Sequence, residues 1–216
     1  MKRLIKSIPR LRLFAATRFH GSENYWKNRY ATGGHSGDGS YNQLAEFKAD
    51  VLNRFVRENG IATVIEYGCG DGNQLRSARY PDYTGFDVSP DAVSQCRRQF
   101  SGDATKAFRS VSAYAGETAE LTLSLDVIYH LVEDEVYVSY MNRLFDSSER
   151  FVVIYSSNTN ENPPDTAAHV RHRGFSEWVA EHRPGWKLIK HIPNEYPYNG
   201  DTKTGSFADF FIYSKT

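Results

Sequence analysis

The chain has 216 residues, of which 40% are hydrophobic and 14% aromatic, and its 26 basic residues balance its 26 acidic residues. This length and composition fit one globular domain with a single core. A chain without net charge lacks the broad basic field of many nucleic-acid-binding proteins, so we expect no nucleic-acid partner. Two cysteines, Cys69 and Cys96, are too few for a disulfide framework, which favours a cytoplasmic location.

Basic residues are concentrated at the N-terminus, where six of them precede the first acidic residue, Glu23. We therefore separate a basic N-terminal arm, residues 1–22, from a domain that spans residues 23–216. The arm is expected to dock on the domain or to fray, with contact to a membrane surface or to a partner glycosyltransferase as the alternatives. Its Arg-rich, acid-poor composition is also typical of organelle transit peptides. No apolar run approaches the ~20 residues of a membrane span.

Apolar periodicity predicts alternating helices and strands. After a Gly/Ser-rich loop over residues 31–40, helical spacing from Leu44 to Phe55 predicts a helix, capped by Ser40 or Asn42 and ended by Gly60. Strands are predicted over residues 62–67, 83–88, 107–111, 121–127, 151–155, 186–192 and 207–213. Further helices are predicted from Asn73, after Ser89, over residues 134–145 and over residues 175–181. The fold class is therefore α/β, a doubly wound, Rossmann-like, mostly parallel seven-stranded sheet with a final antiparallel strand.

A glycine loop follows the first strand and reads Gly68-Cys69-Gly70-Asp71-Gly72. Glycines at the carboxyl end of a parallel strand let the backbone approach a ligand closely, so the loop predicts a nucleotide-type site. It lacks the Gly-Lys-Ser/Thr ending of a phosphate-binding loop, and its third glycine comes one residue too early for a dinucleotide fingerprint. Asp87 ends the second strand about twenty residues later, where a carboxylate can accept hydrogen bonds from ribose hydroxyls.

Four segments together resemble the class I S-adenosylmethionine-dependent methyltransferases. Residues 64–72 look like their first motif, residues 85–89 like their ribose-binding motif, and residues 123–131 like the segment that ends their fourth strand. Tyr25-Trp26 through Tyr30 resembles a Y-W-x-x-x-Y element that covers the cofactor. The layout is also similar to small methyltransferases of bacterial polysaccharide-biosynthesis clusters. The resemblance implies S-adenosylmethionine as cofactor and a small acceptor, such as a hydroxyl of a sugar or related metabolite.

By this resemblance, the cofactor site combines the N-terminal aromatic element, the glycine loop and the residues around it, the end of the second strand, the turn after the third strand and the end of the fourth. These positions are Tyr25, Trp26, Tyr30, Glu66, Gly68, Cys69, Gly70, Gly72, Asn73, Gln74, Asp87, Val88, Ser112, Ala113, Leu125 and Asp126.

Methyl transfer to a hydroxyl needs a base, and His130, with Tyr129 beside it, is the catalytic candidate. A purely structural His130 that packs the loop is the alternative. Residues 169–173 carry four cationisable side chains, and His169, Arg171, His172 and Arg173 are candidates for binding an anionic or sugar acceptor. A solvated basic turn is the alternative, and a metal site at the two histidines lacks a nearby acid to complete it, so no metal is expected.

Two other functions compete with methyl transfer. A nicotinamide-dependent dehydrogenase would share a Rossmann-type fold, but the early third glycine and Glu66 disfavour it. A non-catalytic scaffold for a glycosyltransferase partner is disfavoured by the intact motifs.

Overall fold

The structure, a computed structural model, describes residues 19–216. Most of the basic N-terminal arm that we separated as residues 1–22 lies outside the described residues. Five helices and seven strands follow in this range. The helices are α1 (Ser22–Ala31), α2 (Asn42–Glu58), α3 (Pro90–Gln99), α4 (Asp134–Asp146) and α5 (Phe175–His182). The strands are β1 (Thr63–Tyr67), β2 (Asp82–Asp87), β3 (Lys106–Ser110), β4 (Ala119–Leu125), β5 (Ser148–Ser156), β6 (Trp186–Ile192) and β7 (Asp209–Lys215).

The strands form one seven-stranded sheet in the order β3-β2-β1-β4-β5-β7-β6. Strands β1 to β5 pair in parallel, whereas β7 runs antiparallel to both β5 and β6. The predicted fold class is confirmed. The strand order reverses between β1 and β4, and this is the point at which doubly wound sheets open a crevice beyond their strand ends.

Helices cover both faces of the sheet, as the alternating pattern predicts. On one face, α2 and α3 pack against the strands through residues such as Leu52 and Cys96. On the other face, α4 and α5 do so through residues such as Met141 and Phe175. The two helical layers therefore hold the sheet between them. The candidate site lies at the carboxyl ends of the strands.

The start of α2 differs from the predicted caps. Neither Ser40 nor Asn42 caps the helix: Tyr41 occupies the N-cap position without a side-chain hydrogen bond, and Asn42 already belongs to the helix, with φ of 50°. The end agrees with the prediction, because Gly60 follows the helix with φ of 59°, a conformation that glycine adopts without cost. In α3, Ser89 caps the helix through a bond from the Ala92 amide, and Pro90 begins it, as predicted.

The helix predicted from Asn73 is wrong. A single 3-10 turn over Gln74–Ser77 replaces it. Only nine residues separate Gly72 from β2, and Pro81 disfavours helical backbone at Tyr80. The chain therefore has too little length to turn through a full helix and still return to the sheet.

No helix among residues 19–216 combines the length and the apolar character that a membrane crossing requires.

Candidate functional site

A cavity of about 390 Å³ lies above the carboxyl ends of β1, β2 and β4, where the strand order reverses. Its floor is the glycine loop and the strand ends, and its other walls come from α1 and α4. The lining residues from these elements include Trp26, Tyr30, Glu66, Gly68, Cys69, Gly70, Asp71, Gln74, Asp87, Val88, Leu125, Asp126, His130, Glu135, Tyr140 and Arg143. Its size falls within the ~300–1,000 Å³ range of small-molecule sites.

The glycine loop has the left-handed backbone that its sequence predicts. Gly68 has φ of 88° and Gly70 has φ of 57°, conformations that side-chain-bearing residues rarely adopt. A Cβ on Gly70 would also lie 2.3 Å from the Ser36 Oγ and 2.8 Å from the Tyr30 hydroxyl. Glycine at position 70 is therefore required both by its backbone and by the close approach of the loop before α2.

Asp87 lies at the end of β2 and faces the glycine loop. Its carboxylate accepts hydrogen bonds from the backbone amides of Gly70 (2.9 Å) and Ser89 (2.8 Å). Burial raises the pKa of this carboxyl above its ordinary value, although the backbone amides oppose the shift. Each carboxylate oxygen can accept two hydrogen bonds, so capacity remains for a ligand in the cavity.

Glu66, the last residue but one of β1, lines the floor of the same cavity. The Tyr83 hydroxyl donates to its carboxylate at 2.6 Å. Burial raises the pKa of Glu66 to about 7, and the hydrogen bond from Tyr83 and the charge of Lys48 only partly oppose this shift. Near neutral pH, Glu66 can therefore present a protonated or an ionised carboxyl to a ligand.

Asp126 follows β4 and is held by two other side chains. It has φ of 59°, a left-handed conformation that is uncommon outside glycine, asparagine and aspartate. One carboxylate oxygen forms an ion pair with Lys48 of α2, and the other accepts a hydrogen bond from the Tyr129 hydroxyl at 2.8 Å. Burial, followed by the charge of Asp126, raises the pKa of Tyr129 well above its ordinary value. Tyr129 is therefore a hydrogen-bond donor, not a base.

His130 lines the cavity within an aromatic cluster. Its Nδ1 lies 3.0 Å from the backbone carbonyl oxygen of His169, and because a carbonyl only accepts, Nδ1 carries the proton. In the neutral ring the lone pair is then on Nε2. Burial lowers the pKa of His130 to about 4, so the ring is neutral at physiological pH. Trp26 and Tyr129 pack edge-on against it, at centroid distances of 4.8 and 4.5 Å.

Helix α1 covers the cavity and is fastened at its first residue. The Ser22 amide and hydroxyl donate to the two carboxylate oxygens of Glu133, at 2.9 and 2.6 Å. Further along the helix, the Tyr25 ring stacks on His169 at 4.3 Å, and His169 in turn lies 5.4 Å from His130. The loop between β5 and α5 thus meets α1 above the histidine.

The cavity collects most, but not all, of the predicted cofactor residues. It includes Trp26, Tyr30, Glu66, Gly68, Cys69, Gly70, Gln74, Asp87, Val88, Leu125 and Asp126. Outside its lining lie Tyr25, Gly72, Asn73, Ser112 and Ala113. The side chain of Asn73 donates to the Ser40 carbonyl oxygen, which turns it toward the loop before α2. Val111, at the start of the turn that holds Ser112 and Ala113, lines the cavity in their place.

The structure does not bring the predicted acceptor-binding segment to the cavity. Arg171 and Arg173 both pair with Asp134, at 2.9 and 2.6 Å, and both donate to the Val132 carbonyl oxygen. His172 bonds to the Ser157 hydroxyl at 2.7 Å, and His169 stacks on Tyr25. Because both arginines pair with Asp134, they hold the β5–α5 loop against the start of α4.

Several cavity residues carried no sequence motif. Ser36, Glu135, Ser139, Tyr140 and Arg143 line the cavity, and Lys48 supports it from behind. A signal for Lys48 existed, because it lies four residues from both Leu44 and Leu52 and so shares their apolar face of the helix. The residues of α4 gave no such signal, since only the packing of α4 beside the glycine loop brings them there.

Metal-binding side chains and the thiol of Cys69 are the remaining candidates for reactive groups near the cavity. Among residues 19–216, no group of three or more His, Cys, Asp or Glu side chains is placed to hold a metal ion. Cys69 lines the cavity, but its pKa is raised well above the ordinary value by the neighbouring Cys96 thiol and by burial. A thiolate nucleophile at Cys69 is therefore disfavoured.

Comparison with known proteins agrees with this geometry. Residues 65–153 match the family model described as "Methyltransferase domain". Among solved structures, the chain is similar to the N-methyltransferase NodS from Bradyrhizobium japonicum WM9 in complex with S-adenosyl-L-homocysteine, with 12% identity and a TM-score of 0.69. That alignment covers 90% of this chain and 98% of NodS. A comparison with curated protein sequences finds no match.

Magnesium protoporphyrin IX methyltransferase from Synechocystis PCC 6803, solved with bound S-adenosyl-L-homocysteine, is similar over 90% of this chain and 98% of its own, with 12% identity and a TM-score of 0.62. The mitomycin 7-O-methyltransferase MmcR is similar over 73% of this chain and 50% of its own, with 14% identity and a TM-score of 0.55. Residues 65–153 are thus similar to a methyltransferase domain, and the chain as a whole shares the fold of these solved methyltransferases.

Proposed function

We propose that this methyltransferase uses S-adenosylmethionine to methylate an oxygen atom of a small acceptor, with a sugar or related metabolite as the leading class. The observation that carries the proposal is the cavity at the strand-order reversal, in which Asp87 and the glycine loop face His130. The match of residues 65–153 to a methyltransferase domain disfavours the dehydrogenase alternative. Measured turnover with any acceptor would exclude the non-catalytic scaffold.

The residues of the cavity fit this cofactor in charge and shape. Its lining carries the carboxyl groups of Glu66, Asp71, Asp87 and Asp126, which suit a cationic ligand better than a pyrophosphate. Asp87 would accept from the ribose hydroxyls, and the left-handed Gly68 and Gly70 would let the backbone lie against the methionine part. When bound, S-adenosylmethionine supplies an electrophilic methyl group.

The protein's part in the reaction is positioning and proton transfer. Trp26 and Tyr30 cover the cavity, which would exclude water from the reacting atoms. His130 would take the acceptor proton on Nε2, because its Nδ1 already donates to the His169 carbonyl oxygen. A hydroxyl acceptor needs such a base, as does a protonated amine.

Acceptor identity is tested with a panel. Two similar folds belong to an N-methyltransferase and a 7-O-methyltransferase, so the panel should hold sugars, other hydroxyl compounds and amines. Methyl transfer from isotope-labelled cofactor should appear on a hydroxyl compound. Transfer to amines alone would contradict the proposal for oxygen. A place in polysaccharide biosynthesis and a cytoplasmic location remain parts of the same proposal.

Cofactor binding is tested by calorimetry with S-adenosylhomocysteine. We expect a micromolar dissociation constant, which corresponds to about 8 kcal/mol, and a rise in melting temperature with ligand concentration. Asp87→Asn should weaken binding by ~1.5–3 kcal/mol, because it replaces a charged acceptor. The control Asp91→Asn alters an exposed acid in the first turn of α3 and should change nothing. Absence of binding to the wild-type chain at millimolar ligand would refute the proposal.

A further inference from the structure

Lys48 is an anomaly in α2, where it lies within the apolar face of an otherwise ordinary amphipathic helix. Its side chain has no exposure, whereas the buried neighbours on the same helix, such as Leu44 and Leu52, are apolar. Its ammonium meets Asp126 and lies 4.9 Å from the centre of the Tyr155 ring. Buried ion pairs of this kind are often no more stabilising than well-packed apolar residues of the same size. Stability alone therefore gives no reason for a lysine at this position.

The partner of Lys48 reaches the cavity, although Lys48 itself does not line it. Asp126 is 11% exposed at its side chain and forms part of the cavity wall, four residues before His130 in the sequence. Its left-handed backbone and the close approach of Gly39, on which a Cβ would lie 3.0 Å from Asp126 Oδ2, leave little room for another rotamer. The carboxylate is therefore held in one orientation at the cavity wall.

The hydrogen bonds of Asp126 leave part of its capacity unused. Oδ2 meets Lys48 and Oδ1 accepts from the Tyr129 hydroxyl, so each oxygen has used one of its two acceptor positions. The groups that face the carboxylate are thus Lys48 from α2, Tyr155 from β5, and Tyr129 and His130 from the segment after β4. A donor in the cavity can still bind each oxygen.

On the basis of the proposed function, we infer that Lys48 is a positioning residue: together with Tyr129 it holds the Asp126 carboxylate toward the point of methyl transfer. There, Asp126 accepts a hydrogen bond from a second donor of the acceptor. A hydroxyl has one proton, and His130 takes the one on the reacting oxygen, so the donor to Asp126 is a neighbouring group. The acceptor class is therefore a compound with two adjacent donors, such as a vicinal diol or an amino alcohol.

The first test needs no acceptor. Sinefungin resembles S-adenosylhomocysteine but carries an ammonium group in place of the transferred methyl, so it presents hydrogen-bond donors at the point of transfer. The wild-type chain should bind sinefungin more tightly than S-adenosylhomocysteine, and Asp126→Asn should reduce this preference about tenfold while S-adenosylhomocysteine still binds. An unchanged preference in Asp126→Asn would show that Asp126 does not face the transfer point and would overturn the inference.

Variants of Lys48 separate positioning from stability. Lys48→Met should lower both the melting temperature and the sinefungin preference, because the Asp126 carboxylate is then no longer held by its ion pair. Lys48→Met with Asp126→Asn leaves no unpaired charge, so the melting temperature should recover while the preference stays low. A lower melting temperature with a wild-type preference would mean that Lys48 is only structural. A higher preference in Lys48→Met would mean that Lys48 merely screens the carboxylate. Either result overturns the inference.

A matched control uses another ion pair. Arg183 pairs with Asp146 at 2.7 Å, its side chain is 18% exposed, and neither residue lines the cavity. Arg183→Met should lower the melting temperature without changing the sinefungin preference. If the wild-type chain binds neither ligand, the proposed function itself fails. If it binds S-adenosylhomocysteine but the preference for sinefungin does not change in the Asp126 and Lys48 variants, only this inference fails.

Discussion

His130 shows how one side chain acquires its chemistry from its surroundings. A histidine in water titrates near pH 6.5, whereas burial against Trp26 and Tyr129 lowers the pKa of His130 to about 4. The neutral ring is thus present over the whole physiological range, and the hydrogen bond to the His169 carbonyl oxygen fixes which nitrogen holds the proton. The ring can therefore accept a proton at any physiological pH, but its low pKa also makes it a weak base.

This gives a prediction for the pH dependence of methyl transfer. If His130 is the base, the acid limb of the turnover profile should lie near pH 4 and not near 6.5. His130→Gln should lower turnover strongly, with partial recovery at high pH where the acceptor ionises. His182→Gln, which changes an exposed histidine of α5, is the control. If His130 is only structural, its variant loses thermal stability and shows no recovery at high pH.

Glu66 gives a second prediction, on stability. The pKa of Glu66 is about 7 in the folded chain and about 4.5 when exposed, so between these values the folded state binds the proton more tightly. The contribution of Glu66 to stability should therefore fall as pH rises from 4.5 to 7, by about 3 kcal/mol at most. Glu66→Gln removes this penalty. Denaturant unfolding without ligand should show its gain over wild type to be larger at pH 8 than at pH 5; an equal gain at both would contradict the shift.

At the scale of elements, the start of α4 fastens two separate segments over the cavity. Glu133, its N-cap residue, binds Ser22 of α1, while Asp134 in the first turn binds Arg171 and Arg173 of the β5–α5 loop. The helix thereby connects a cover on one side of His130 with a loop on the other. These polar contacts act together with the stacking of Tyr25 on His169, and such local contacts open more readily than a packed core.

We expect Glu133→Ala to release α1. The change removes two hydrogen bonds to a carboxylate and should cost ~1–3 kcal/mol of local stability. Amide hydrogen exchange in α1 should accelerate, and S-adenosylhomocysteine should bind several-fold more weakly, because Trp26 and Tyr30 are no longer held over the cavity. Glu58→Ala, at the exposed end of α2, is the control. Unchanged exchange in α1 would show that other contacts hold the helix.

At the level of the whole molecule, the described residues 19–216 contain the seven-stranded sheet, helices on both of its faces and the cavity. Deletion of residues 1–18 should therefore leave the melting temperature and the affinity for S-adenosylhomocysteine nearly unchanged. If the basic arm binds membranes, the full chain should sediment with anionic vesicles at low salt and dissociate at high salt, where its charges are screened. Loss of S-adenosylhomocysteine binding in the truncated chain would show that residues 1–18 belong to the domain.

The fold class and the floor of the cavity follow from local patterns in the sequence. The alternation of predicted helices and strands indicates a doubly wound sheet. The turn after β1 needs a positive φ at Gly68 and Gly70, and Asp87 is the last residue of β2. These features can be predicted from the sequence because each depends on residues that are close together in the chain. The missing helix after Gly72 is the exception, since the length of chain before β2, not local propensity, decided it.

The residues that surround that floor come together only through contacts between distant parts of the chain. Lys48 reaches Asp126 across 78 positions of sequence, and Glu133 reaches Ser22 across 111. The same packing places Arg171 and Arg173 beside Asp134. Two arginines that predict an anion-binding site in the sequence therefore hold a loop in the structure. Side-chain charge in a sequence states what a residue is able to bind. Which partner it binds depends on the groups that folding brings within hydrogen-bond distance, and these come from distant elements whose arrangement no local pattern encodes.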